Sequence, residues 1–197
     1  MSPHDTATSG SVITSSMQWL RAHWALVGAL CGSVFLGMVL TSAWVTIIEH
    51  TNHTSFCIGC HVMADTVYPE YQQSKHFKNQ HGVVVGCPDC HVPQYSWVDE
   101  LVVKVATVKE LYAFFLRGVN TAEKFTPERP KLAREAWAHF YATNARECRH
   151  CHDYNNMVFA QQSQAAQLIH PEAMKTNANC LDCHKGVVHN IPPGASD

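Results

Sequence analysis

The sequence predicts a mainly α-helical protein, with one N-terminal transmembrane helix followed by a compact domain that has little regular secondary structure and no large sheet. Three observations predict it. Residues 24–48, WALVGALCGSVFLGMVLTSAWVTII, run for 25 positions without a charge. The chain beyond them carries one short motif, Cys-x-x-Cys-His, four times. Residues 97–118, between the second and third copies, show a helical rather than an alternating apolar period.

The apolar run comes first in the chain. At 1.5 Å per residue, 25 residues exceed the ~30 Å of a bilayer's hydrocarbon core. A cleaved signal peptide is the competing reading, but its apolar core spans only about 7–15 residues. Trp24 and Trp44 also stand near the ends of the run, where interfacial anchors are found. Arg21 precedes the run and Glu49 follows it, so the positive-inside tendency places the N-terminus in the cytoplasm and residues 49–197 in the periplasm. Residues 1–23 are rich in Ser and Thr, lack apolar periodicity and read as a cytoplasmic tail.

The four motifs are CIGCH (Cys57, Cys60, His61), CPDCH (Cys87, Cys90, His91), CRHCH (Cys148, Cys151, His152) and CLDCH (Cys180, Cys183, His184). Two cysteines three positions apart can each form a thioether to a haem vinyl group, and the histidine that follows reaches the iron. The spacing therefore predicts four covalently bound haems c. Zinc knuckles also use C-x-x-C pairs. Their paired halves, however, lie about 15–20 residues apart, and here successive motifs are separated by about 30, 60 and 30 residues. Zinc does not require the histidine either. Eight of the nine cysteines are used in this way; Cys31 lies in the apolar run and is expected only to pack.

About 150 residues must then wrap four macrocycles, so the porphyrins supply most of the apolar core and helices serve mainly to present ligands. A weak internal repeat divides the domain into two dihaem halves, about 49–118 and 136–197. They are joined by the charged, Pro-containing stretch TAEKFTPERPKLARE, whose second part starts a helix running towards Ala145. Each iron has a second axial position, and an occupied one makes an electron carrier where an open one makes a catalytic site. Ten histidines lie outside the attachment positions. His4 and His23 lie on the cytoplasmic side, His50 and His53 just outside the membrane, and His150 within its own motif. His76, His81, His139, His170 and His189 remain as distal candidates.

In residues 97–118, Leu101, Val105, Val108, Tyr112 and Leu116 share one face, with Asp99, Glu110 and Arg117 opposite. Such a helix belongs either in the core or on a bilayer surface with Lys104 and Lys109 at its flanks. The formal charge of −2 argues against nucleic acid as a partner.

With its single anchor, its first motif extended to CIGCHVM, and the blocks CPDCHVP, ECRHCHDY and KGVVH, the chain resembles the NapC/NirT family of membrane-anchored tetrahaem cytochromes, on the side of its nitrate-reductase branch. No fifth motif follows His184, which disfavours the pentahaem relatives. The resemblance implies that Met63 is the axial ligand of the first haem, and that His61 need not bind iron. It also implies that His76, His170 and His189 are distal ligands of the other three. The expected assignment is His170 to the second haem, His189 to the third and His76 to the fourth, with His81 and His139 as surface or propionate contacts. Lys104 and Glu110 match the positions that border the family's quinol pocket, where a carboxylate accepts a proton while a lysine holds the quinol oxygen. The implied activity is oxidation of membrane menaquinol or ubiquinol, with electrons delivered to a periplasmic reductase complex, nitrate reductase first among candidates. Other clients remain open, as do a homo-oligomer and a terminal reductase of a small nitrogen substrate.

Overall fold

The computed structural model describes residues 17–19 and 21–195. Most of the tail expected at residues 1–23, His4 included, lies outside them. The chain divides into two compact units, Met1–His50 and Thr51–Asp197.

The long helix α1, Trp24–Thr51, accounts for most of the first unit and continues past the uncharged run through Glu49 and His50. Its 28 residues make a rod of about 42 Å. The hydroxyls of Ser33 and Thr46 donate back to the carbonyls of Leu30 (2.9 Å) and Ser42 (2.8 Å), so these polar groups are satisfied within the helix, as lipid surroundings demand. Among the described residues α1 is the one helix long and apolar enough to cross a membrane, and none of its side chains is buried. Cys31 is exposed on it rather than packed.

The second unit is built of short helices, and no strand occurs among the described residues. In order they are α2 (Thr54–Cys57), α3 (His61–Asp65), α4 (Val67–Gln73), α5 (Cys87–His91), α6 (Trp97–Ala106), α7 (Val108–Phe115), α8 (Ala122–Phe125), α9 (Arg129–Ala142), α10 (Arg146–Cys151), α11 (Gln164–Thr176) and α12 (Leu181–His184). Each Cys-x-x-Cys-His motif lies on or against one of them.

The helix expected over 97–118 is two helices. Ser96 caps α6 by accepting from the Asp99 N–H, and the break falls at Thr107, whose hydroxyl donates to the Lys104 carbonyl at 2.7 Å. A Thr side chain bonded back onto the preceding turn competes with the helix ladder and bends it. The apolar face is nevertheless continuous across the break and stays outside the core: Val105 is 63% exposed, Val108 57%, Tyr112 56% and Leu116 74%.

Between α9 and α10 the chain turns through two consecutive left-handed residues, Asn144 (φ 52°) and Ala145 (φ 50°). Alanine there costs about 1–2 kcal/mol. The turn is held by the Ala145 N–H to Phe140 carbonyl bond (2.6 Å) and by Arg149 Nε donating to the Asn144 carbonyl (2.9 Å). Its effect is to start α10, and with it the third motif, in a fixed direction against α5.

The C-terminal segment is tied down by Glu70 on α4, whose carboxylate accepts from Arg129 Nη2 at 2.7 Å and from the Asn190 N–H at 3.0 Å. Burial alone would raise the Glu70 carboxyl, but the Arg129 bond and charge outweigh it and hold the group below the ordinary carboxylate range. A depressed native value means that the stabilisation is present above the unfolded pKa, near 4.3, and is lost as pH falls through the native one. Glu70→Gln is therefore expected to lower stability at pH 7 by about 1.5–3 kcal/mol. Variant and parent should converge as the solution is acidified below about pH 4, and thermal denaturation at several pH values checks this.

Candidate functional site

The four motifs are brought together in chain order. The thiols of Cys57 and Cys87 hydrogen-bond to each other, which pushes Cys57 up and Cys87 down to about 6. Gly86 permits this approach, because a Cβ there would lie 2.9 Å from Thr54 Oγ1, the atom that accepts from the Cys87 N–H at 3.1 Å. Cys90 is pushed up to about 11 by burial and, next, by the nearby Cys148. Cys148 is likewise raised to about 11 by burial and then by Cys180. First, second, third and fourth motifs thus form a row.

Three of the four motif histidines face a second histidine. The ring of His91 lies 6.3 Å from His189, that of His152 6.1 Å from His76, and that of His184 6.0 Å from His170. These pairings differ from the expected assignment in all three places. The expected assignment crossed the two halves at His170 and His76; in the structure the crossings are His76 to the third motif and His189 to the second, while His170 meets the fourth motif of its own half. The two halves read from the repeat are interlocked, and residues 51–197 form one compact unit.

The spacing fits an iron shared by each pair. Two imidazole bonds of about 2 Å each, plus the depth of each ring, separate the ring centres by roughly 6 Å. Desolvation inside the domain, then neighbouring His189, pushes His91 down to about 4. Burial likewise lowers His76 and His189. All three are thereby kept neutral, the form that binds metal. The Nδ1 atoms of His76 and His189 are buried without a hydrogen-bond partner, a cost of about 1–3 kcal/mol that a metal bond would offset. His170 Nδ1 lies 2.7 Å from Gln162 Oε1, which fixes one ring nitrogen and leaves the other for a metal. Few apolar side chains of this unit are buried, among them Val62, Tyr71, Phe125 and Leu181. A domain of this size ordinarily needs more, so macrocycles held between the helices suit the packing as well.

The first motif is different. His61 meets Phe114 on α7 edge-on at 5.9 Å, and half-buried Met63 follows it on the same short helix α3. Glu110 lies one helical turn before Phe114 on α7, and Phe114 is the residue of that turn that meets His61. The Glu110 carboxylate is 43% exposed and 3.7 Å from Lys109 Nζ. Lys104 approaches the same motif from α6. Its ammonium donates to Thr51 Oγ1 (2.5 Å) and Asn52 Oδ1 (2.8 Å), with Glu100 at 3.8 Å. The lysine is therefore held rather than free, beside the chain that leads into Cys57.

Of the remaining candidates, His81 is exposed next to Gln80, and His150 is exposed on α10. His139 is placed 3.5 Å from the buried carboxylate of Glu147. Sequence reasoning did not find Gln162, Phe114 or Glu147. Phe114 and Glu147 act through partners distant in the chain, and Gln162, eight residues before His170, reaches it through a turn that its spacing does not encode.

Comparisons with known proteins bear on the family of the chain. The model of the NapC/NirT cytochrome c family, N-terminal region, matches residues 19–194. The chain is 41% identical over 174 residues to the denitrification system component NirT of Stutzerimonas stutzeri, covering 88% of this chain and 86% of the relative. It is 38% identical over 167 residues to the cytochrome c-type protein NapC of Escherichia coli K12, covering 85% and 80%. The cytochrome c-type protein TorY of Escherichia coli O157:H7 is 39% identical over 147 residues, which are 74% of this chain but 39% of that longer one. No solved structure matches.

Proposed function

Because this chain belongs to the NapC/NirT cytochrome c family, an electron-transport family with covalently bound haem c, we propose that it is a membrane-anchored quinol dehydrogenase that carries four haems and serves a periplasmic reductase, nitrate reductase first among candidates. The observation that carries this reading is the contrast between the motifs: three have a histidine facing a histidine at 6.0–6.3 Å, and the first does not. Bound haem would supply a one-electron centre at each motif, giving a row along which electrons from quinol reach the acceptor.

The chain's own residues do the rest. The pairs His91–His189, His152–His76 and His184–His170 would hold the iron at their motifs and leave no open position to substrate. Met63 would hold the iron at the first motif, where His61 meets Phe114 and not a second histidine among the described residues. Quinol oxidation releases two protons. Glu110, partly exposed and one turn from Phe114, would accept a proton, while Lys104 would hold a quinol oxygen. The exposed apolar face of α6 and α7 would lie at the lipid surface that supplies the quinol. Cys57 follows the end of α1 by six residues, so α1 as anchor keeps the entry site near the bilayer, with the domain in the periplasm.

Identity to NirT and to NapC is similar, so the client is best settled directly. The protein is reduced with quinol and mixed anaerobically with a periplasmic nitrate reductase and nitrate, and in a parallel arm with a periplasmic nitrite reductase and nitrite. Reoxidation in the nitrate arm is expected. Reoxidation only in the nitrite arm would replace the client, and none in either arm would remove the reading of a reductase donor.

A further inference from the structure

Glu147 is a buried carboxylate that the proposed mechanism does not use. Its side chain is 2% exposed. It accepts from the Tyr95 hydroxyl at 2.9 Å and from the Thr143 hydroxyl at 3.0 Å, and His139 Nε2 stands 3.5 Å away. The Arg146 guanidinium lies 3.5 Å over the Tyr95 ring, hydrogen-bonds its hydroxyl and pairs with Asp99 at 3.5 Å. Burial would raise the Glu147 carboxyl, but its own N–H, Tyr95 and Thr143 outweigh burial and keep it ionised below the ordinary range.

The position of this charge matters. Glu147 immediately precedes Cys148 of the third motif. Tyr95 follows His91 of the second motif by four residues, and Phe140, in ring contact with His139, is also in contact with His91 at 6.2 Å. The carboxylate, on α10 with the third motif, is thus fixed against the segment that follows the second motif and against the end of α9. Tyr95 donates to Oε1 and Thr143 to Oε2, so an amide would keep one of these bonds through its oxygen and turn its NH2 to the other hydroxyl. What the carboxylate adds is negative charge in an interior where charge is costly to place.

We infer that Glu147 sets the redox poise of the middle of the row, holding the haems at the second and third motifs more oxidising-state-stable, and so at lower potential, than their histidine pairs alone would. A fixed negative charge favours ferric over ferrous iron, and low dielectric strengthens the effect. Arg146, half exposed on the outer side of Tyr95, partly offsets it. The inference rests on the proposed attachment of haem at these two motifs.

Spectroelectrochemical titration of the full-length protein tests it. Glu147→Gln should raise two of the four potentials, by up to about tenfold in the reduction equilibrium, or about 59 mV for one electron, and leave the other two in place. Arg146→Gln, at a surface position that tolerates substitution, should lower the same two by a smaller amount. Opposite signs on the same pair cannot come from a merely structural role. Unmoved potentials, a uniform shift of all four, or shifts of one sign in both variants would overturn the role. If Glu147→Gln does not fold, Arg146→Gln decides alone, since the absence of a downward shift would be contradictory. Haem content measured on the same samples separates the two failures: four haems with unmoved potentials rejects the role of Glu147 and leaves the attachment reading intact.

Discussion

Glu110→Gln is expected to slow quinol oxidation by about 10²–10⁴-fold, the range typical of general-base assistance, while reduction by dithionite and delivery to the acceptor stay near the parent rate. The expectation follows from position and chemistry together. Phe114, one turn further along α7, meets the His61 ring at 5.9 Å, which puts Glu110 one helical turn from a residue that touches the first motif. The carboxylate is partly solvated, with Lys109 3.7 Å away, and can pass a proton outward. The amide keeps the size of the side chain and loses only its capacity to accept a proton, so the step that deprotonates quinol suffers alone. Lys104→Ala should instead raise the quinol concentration needed for half-maximal rate. Its ammonium also joins α6 to Thr51 and Asn52, so a modest loss of stability should accompany the change. Equal losses with quinol and with an artificial donor would mean that the substitution damages the row of haems, and the pocket would have to be abandoned.

The second large effect concerns spin state. His189→Ala, His76→Ala and His170→Ala should each convert one low-spin haem completely to a high-spin or water-ligated form, read by electron paramagnetic resonance. The pairing itself is tested by combining each change with loss of one attachment site. If His189 faces His91, then His189→Ala in a chain that also carries Cys87→Ser and Cys90→Ser should add no high-spin signal, because the affected haem is already gone. The same logic couples His76 to Cys148 and Cys151, and His170 to Cys180 and Cys183. A high-spin signal that survives removal of the paired motif would show that the ring contacts at 6.0–6.3 Å do not mark ligation.

The Cys-x-x-Cys-His motifs are legible in the sequence because their chemistry is local: two thiols and an imidazole within five residues suffice to propose attachment. The apolar run was legible for the same reason, and α1 differs from it only by including the turn through Glu49 and His50. The set of distal histidines came from a resemblance, and here the structure changes the reading. His76 and His152 are 76 positions apart in the chain, and His91 and His189 are 98 apart, and nothing local in the sequence marks which distal histidine meets which motif. The split at Thr107 was hidden because apolar periodicity continues across a bend made by one hydroxyl. Glu147 was visible only as a letter in ECRHCHDY. Its significance comes from burial and from Tyr95, 52 residues away.

The central claim, that quinol donates to this protein at its first motif, is tested most directly by anaerobic stopped-flow mixing of the full-length protein, in lipid nanodiscs, with menaquinol and separately with ubiquinol, beside the Met63→Leu variant. The account predicts that at least one quinol reduces the parent's haems. It also predicts that the variant, still fully reducible by dithionite, is not reduced by quinol at a comparable rate. Haems that neither quinol reduces in the parent, or a Met63→Leu variant with unchanged quinol kinetics, would contradict it.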